Sequence, residues 1–208
     1  MNTPWLRVIL WSLVVVLVVF YLYLRSAAGA YDPRAYRGAD LGLVAAPSFH
    51  LTNQKGEMRR LEDYRGKAIL LTFLDGHCKD VCPLTLQTMA DVEKILGKDR
   101  SRVAMVAISV DPLLDKVGEP ALVAQKGPSP QEWDFLTGSL EALEPVWKAY
   151  GVQVDQMAVG RFTLNQAHDT GFFILDPKGR LYRYIQSDVE PILVAQLVKE
   201  ALAAGETR

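Results

Sequence analysis

Apolar residues follow three different patterns along this chain. The first is an unbroken run, "VILWSLVVVLVVFYLYL" from Val8 to Leu24, interrupted only by Ser12. With Trp5 and Leu6 added and Arg7 free to snorkel, it reaches the ~20 residues of a spanning helix. Trp5, Trp11, Tyr21 and Tyr23 lie toward its ends, as an interfacial aromatic belt requires. The second pattern is the short continuous run. "AILLTFL" (Ala68 to Leu74) and "RVAMVAISV" (Arg102 to Val110) suit central strands covered on both faces. The third is apolar spacing of three and four. Met89, Val92 and Leu96 lead up to Gly97; Leu140, Leu143, Val146 and Tyr150 lead up to Gly151; Ile192, Ala195, Val198 and Leu202 close the chain. Each set predicts a helix, the first two with a glycine stop.

Turn signals fill the gaps. "SFHLTNQKGEMRRL" predicts two short strands about "NQKG", and "GFFILDPKGRLYRYIQ" predicts a hairpin about "DPKG". "WDFLTG" reads as an edge strand. Between Asp111 and Glu132 the segment holds Pro112, Gly118, Pro120, Gly127, Pro128 and Pro130, so any helix there is short. The order is hairpin, strand, helix, strand, helix, hairpin, helix. Such alternation predicts an α/β fold of the thioredoxin-like, three-layer kind with an N-terminal hairpin, preceded by a single transmembrane helix. The expected division is a short cytoplasmic end over residues 1–6, an anchor over 7–25, a Gly- and Pro-bearing tether over 26–46 and one globular domain over 47–208. "AGA", Ala28 to Ala30, resembles a signal-peptidase site, so cleavage is the alternative to an uncleaved anchor. The length of the apolar run, beyond the ~7–15 residues of a signal's apolar region, favours the anchor. Arginines on both sides of the run leave its orientation open.

Composition narrows the function. The formal net charge is −1, from 23 basic and 24 acidic residues, which gives no basic face for a nucleic acid. There are 2 cysteines and 3 histidines. Cys78 and Cys82 lie in "TFLDGHCKDVCPLTLQ", between a predicted buried strand and a helix opening near Pro83. A thioredoxin-like fold carries its active site there. A helix N-terminus favours thiolate over thiol for both residues. Thiolates bind soft metals and attack disulfides, and the i,i+4 spacing can converge two sulfurs on one point. A third ligand has to come from elsewhere. His50 decorates the first hairpin. His77 adjoins Cys78 and should diverge from it, which suits a supporting or packing role better than direct ligation. His168, in "TLNQAHDTGFFIL", precedes the strand whose entry faces the cysteines in a thioredoxin-like fold, where a cis-proline normally stands. A solvated loop histidine is the plain alternative. Two thiolates and an imidazole favour Cu(I) and can hold Cu(II), whereas structural zinc usually takes a fourth protein ligand.

These residues resemble the Sco/SenC family of membrane-tethered, thioredoxin-like copper proteins. The resemblance rests on Cys78-x-x-x-Cys82-Pro83 with "DV" inside it, His77 before it and the distal His168. "DYRGK", "ISVDP" (Ile108 to Pro112), "FLTG" (Phe135 to Gly138) and "AYGV" (Ala149 to Val152) support it. It implies copper held by Cys78, Cys82 and His168, with Cys78 and Cys82 also able to form a redox disulfide. It also implies a domain on the oxidising, extracytoplasmic side of a membrane. The implied role is delivery of copper to the copper-A centre of cytochrome c oxidase. Partners would be the oxidase subunit carrying that centre and an upstream copper donor or thioredoxin-like reductant. Asp111, in the "DP" element, is either a neighbour or weak ligand of the site or a turn-starting aspartate. Lys79 departs from the family, which commonly has proline there, as do "DT" after His168 and the Gly- and Pro-rich stretch after Asp111. On the metallochaperone reading the protein would not be an enzyme. The alternative is a thiol–disulfide oxidoreductase that keeps the acceptor's cysteines reduced. A peroxiredoxin-like peroxidase is disfavoured, because Asp75 stands where that family expects threonine.

Overall fold

The structure, a computed structural model, describes residues 4–27, 38–79, 81–156, 162–164 and 171–206. It divides into two units, residues 1–36 and 37–208. The first contains helix α1 (Pro4–Ala27). Its described side chains from Val8 to Leu22 are exposed and, apart from Ser12, apolar or aromatic. Among the described residues, no helix is long and apolar enough to cross a membrane. The expected anchor over residues 7–25 falls within this helix, and a membrane span is not shown among the described residues.

The second unit runs β1 (Ala39–Ala45), β2 (His50–Thr52), β3 (Met58–Arg60), β4 (Ala68–Leu74), α2 (Val81–Leu96), β5 (Val103–Ser109), α3 (Leu122–Lys126), β6 (Asp134–Leu136), α4 (Leu140–Tyr150), β7 (Val154–Gln156), β8 (Phe162–Leu164), β9 (Gly171–Leu175), β10 (Arg180–Gln186) and α5 (Pro191–Glu206). Six strands form one sheet in the order β1-β10-β9-β4-β5-β6. β4 pairs parallel with β5 and antiparallel with β9. Every residue of β4 and β5 is buried, which is why both read as continuous apolar runs. Alternate residues of β4 serve opposite faces. Leu70 and Leu74 pack with Leu86, Met89 and Val92 of α2 and Val194, Leu197 and Val198 of α5. Ile69, Leu71 and Phe73 pack with Leu143, Val146 and Trp147 of α4 and with Leu51. The sheet is thus the middle of three layers.

The predicted stripe of α2 is buried, with Met89 and Val92 at 0% exposure and Leu96 at 1%. Gly151 ends α4 at φ +71°, the left-handed region that glycine enters without a Cβ penalty. The β2–β3 and β9–β10 hairpins and the edge strand β6 fall where the sequence predicts them. The Asp111–Glu132 stretch contains only the five-residue α3.

Two expectations need correction. The tether over 26–46 ends sooner, because Ala39–Ala45 is the edge strand β1, bonded antiparallel to β10. The pair β7–β8, residues 154–156 with 162–164, was not expected at all.

Candidate metal centre

β4 ends in the middle of the sheet, and the chain leaves it through Asp75 to Lys79 before α2 begins. The turn is closed by the Cys78 N–H, which donates to the Asp75 carbonyl at 3.2 Å. Cys78 is half-buried in this turn; Cys82, in the first turn of α2, is 3% exposed. Pro83 is the third residue of that helix, where its missing N–H leaves no intrahelical bond unmade. Neither cysteine is in a disulfide. Their side chains hydrogen bond to each other, and that bond is the first cause holding the Cys82 thiol far above its ordinary value. Burial adds to the rise, and the backbone N–H of Asp75, directed at Cys82, opposes it. The expectation that both residues favour thiolate is corrected for Cys82.

The residues just before Cys78 are held by a network the sequence did not disclose. The Asp115 carboxylate, its side chain 1% exposed, accepts the Ser109 hydroxyl at 2.6 Å and the Gly76 N–H at 3.1 Å. The Nδ1 of His77 lies 3.2 Å from the other Asp115 oxygen. Burial raises the Asp115 pKa first; the Ser109 and Gly76 donors oppose that, and the charge of Asp75 adds to it. Asp75, also buried, accepts the His77 backbone N–H at 2.7 Å. One donor atom each from Asp75, His77 and Asp115 falls within 4.8 Å of the others. These atoms already serve the loop's own hydrogen bonds, so the cluster reads as scaffolding. The one sequence signal for it is the Asp111, Asp115 spacing just beyond β5.

Asp111 is fully buried, and its Oδ1 accepts the N–H groups of Leu113 and Leu114 at 3.1 and 3.3 Å. That is the turn-starting role of an aspartate. His77 turns its ring to Asp115, in keeping with a supporting place beside the cysteines. His50 lies exposed on β2, opposite Arg60 of β3. Lys79 is exposed, and nothing in the structure accounts for it. His168 lies outside the described residues. The described chain resumes at Gly171, whose carbonyl accepts the Thr72 hydroxyl at 2.8 Å. Because β9 runs antiparallel to β4, its first residues lie beside the last residues of β4, at the end of the sheet where Cys78 stands. A cavity of about 320 Å³ lined by Arg59, Tyr64, Arg100 and Asp134 opens at the starts of β5 and β6, the opposite end. Of its charged groups, Arg59 pairs with Asp134, and Arg100 pairs with Glu93 of α2.

The SCO1/SenC family model matches residues 40–203, which include both cysteines and His168. The chain belongs to the SCO1/SenC family. Among curated SCO1/SenC relatives, the SCO1 protein homolog of Bacillus subtilis is 26% identical over 145 residues, 65% of this chain and 70% of that one. The mitochondrial SCO2 homolog of Danio rerio is 27% identical over 162 residues, 73% of this chain. The match spans only 54% of that relative's length. Among solved structures, Bradyrhizobium japonicum ScoI with copper bound superposes with a TM-score of 0.66 at 26% identity, covering 76% of this chain and all of ScoI. The thioredoxin-like Sco fold expected from the sequence is therefore the fold observed.

Proposed function

We propose that this SCO1/SenC protein is a membrane-anchored copper metallochaperone. It binds Cu(I) through the sulfurs of Cys78 and Cys82 and the imidazole of His168, and passes it to the copper-A centre of cytochrome c oxidase. The observation that carries the reading is the sulfur pair itself. Two thiols outside any disulfide and hydrogen-bonded to each other, at the end of a central strand, form a soft donor set suited to one soft ion. The copper held by ScoI, the structural neighbour at 26% identity, supports the choice of metal. For His168, support comes from chain length. It precedes Gly171 by three residues, a reach of ~10 Å from a strand entry at the cysteine end of the sheet. Anchoring by residues 7–25 is supported by the exposed apolar surface of α1, including Leu10, Val16 and Phe20. Family membership supports the choice of the copper-A acceptor, a copper donor and the extracytoplasmic side.

The test is Cu(I) titration of the reduced full-length chain in detergent, against a competing chelator. Cys78→Ser and Cys82→Ser should each weaken binding by more than the ~10–100-fold that outer partners of a metal site are worth. His168→Ala should also weaken it; binding as tight as the parent's would refute the three-ligand site.

The bonded sulfur pair also favours a second reading, a thiol–disulfide oxidoreductase. Here the two thiols would become a disulfide while an acceptor disulfide takes up two electrons and two protons. That reading expects the metal-free protein to reduce a dicysteine peptide of the acceptor and to keep doing so as His168→Ala. Absence of turnover removes it.

A further inference from the structure

We propose that Asp115 is the positioning residue of the copper site, latching the backbone before Cys78 to the ends of β5 and β6 so that the two sulfurs stay opposed. The inference rests on the cysteine pair being the working site of the protein, but its test does not require copper.

Three segments meet at Asp115. Its carboxylate accepts from Ser109, the last residue of β5, and from Gly76 and His77 in the cysteine loop. Its main-chain carbonyl accepts the Thr137 hydroxyl, just past β6, at 3.1 Å. Its own N–H is bonded to the Asp111 carbonyl at 2.9 Å. Ser109 is held in turn, its hydroxyl accepting the Asp111 N–H and its carbonyl accepting the Trp147 indole N–H from α4. Ser109 and Thr137 are fully buried, so these bonds do not exchange with water. The loop carrying Cys78 is thus tied to the two strands beyond β4 and through Trp147 to the opposite face.

The fit at Gly76 shows that this contact is built closely. A Cβ placed on Gly76 would lie 2.2 Å from Asp115 Oδ1 and 3.0 Å from Asp115 Cγ. Only glycine lets the loop backbone come within hydrogen-bond reach of that carboxylate. The φ of Gly76 is not in the left-handed region, so closeness rather than conformation selects the residue. Through His77 the same carboxylate also fixes one imidazole nitrogen beside Cys78, the carboxylate–histidine pairing that orients rings around metal sites.

A latch of this kind sets the effective concentration of one sulfur at the other. That quantity is read directly by the equilibrium between the reduced pair and its disulfide in glutathione buffers, with the full-length chain in detergent. Asp115→Ala and the isosteric Asp115→Asn should each make the disulfide about tenfold easier to reduce, about 30 mV for a two-electron couple. Copper(I) affinity should fall by ~10–100-fold alongside. Gly76→Ala should do the same, and combining it with Asp115→Ala should be no worse than either alone, because the second change removes the atoms the new methyl meets. If the Asp115 variants lower only the denaturation midpoint, leaving disulfide equilibrium and copper affinity within twofold, Asp115 is structural and the inference is overturned. Strict additivity of the two losses overturns it as well. A wild-type chain that binds no Cu(I), yet shows the disulfide shift on Asp115 substitution, would remove the chaperone reading and leave the latch standing.

Discussion

Copper binding should become tighter with rising pH across the neutral range, because Cys82, as a proposed ligand, must give up a proton. In the metal-free protein this thiol is 3% exposed and bonded to Cys78, and both effects hold its pKa well above the ordinary ~8.5. Cys82 therefore stays protonated from pH 6.5 to 8.5, while the bound form requires thiolate. One proton displaced per copper ion gives a tenfold gain in affinity per pH unit, about 1.4 kcal/mol. Over two units, Cys82 alone contributes ~100-fold. Any proton that Cys78 releases adds to this figure. The assay is chelator-competed Cu(I) titration at pH 6.5, 7.5 and 8.5, corrected for the chelator's own protonation and paired with Cys82→Ser. Wild type should show a slope of at least one in log affinity per pH unit, and the variant a slope lower by about one. A wild-type slope near zero would mean that Cys82 is already ionised or takes no part in binding, and the site's assigned chemistry would fail.

The same elevation has a consequence without metal. A group whose folded pKa lies above its unfolded value contributes stability below the unfolded value and loses it as pH rises past it. The reduced, metal-free chain should lose about 1.4 kcal/mol between pH 7 and 9.5 through Cys82. Urea denaturation at the two pH values checks this, and an equal loss in Cys82→Ala would exclude Cys82 as its source. Thr72→Val removes a fully buried hydroxyl that donates to the Gly171 carbonyl where β9 begins. It should cost ~1–2 kcal/mol in denaturant and weaken copper binding through its effect on the chain leading from His168. Unchanged copper affinity would dissociate that strand entry from the metal site.

The parts of this fold legible in the sequence are those where burial alone fixes residue type. β4 and β5 are covered on both faces, so nothing polar interrupts them except Thr72, whose hydroxyl finds a carbonyl, and Ser109 at the end. α2 and α4 each bury one stripe and end at a glycine. β1 had no such signature. It is an edge strand, largely exposed, and Gly42 and Leu43 at positive φ accompany a break in its register with β10 between Asp40 and Val44. Its pairing is decided by β10, some 140 residues later, and not by local alternation.

The site divides along the same line. Cysteine spacing, the following proline and the strand before them are local and readable. The state of those cysteines is not, because the local influence expected from the helix N-terminus is overridden at Cys82 by the Cys78 sulfur and by burial. Asp115 is the clearest case. In sequence it is a polar residue in a loop rich in turn formers, and its ordinary reading is solvated. Its burial makes sense only when Gly76, 39 residues earlier, offers a bare backbone N–H and Ser109 a hydroxyl. A buried carboxylate with three donors directed at it, two of them in the loop that leads to Cys78, is costly to assemble unless the loop it fixes matters. The absence of a side chain at Gly76 and the presence of one at Asp115 are thus one design, and neither residue can be interpreted from the sequence without the other.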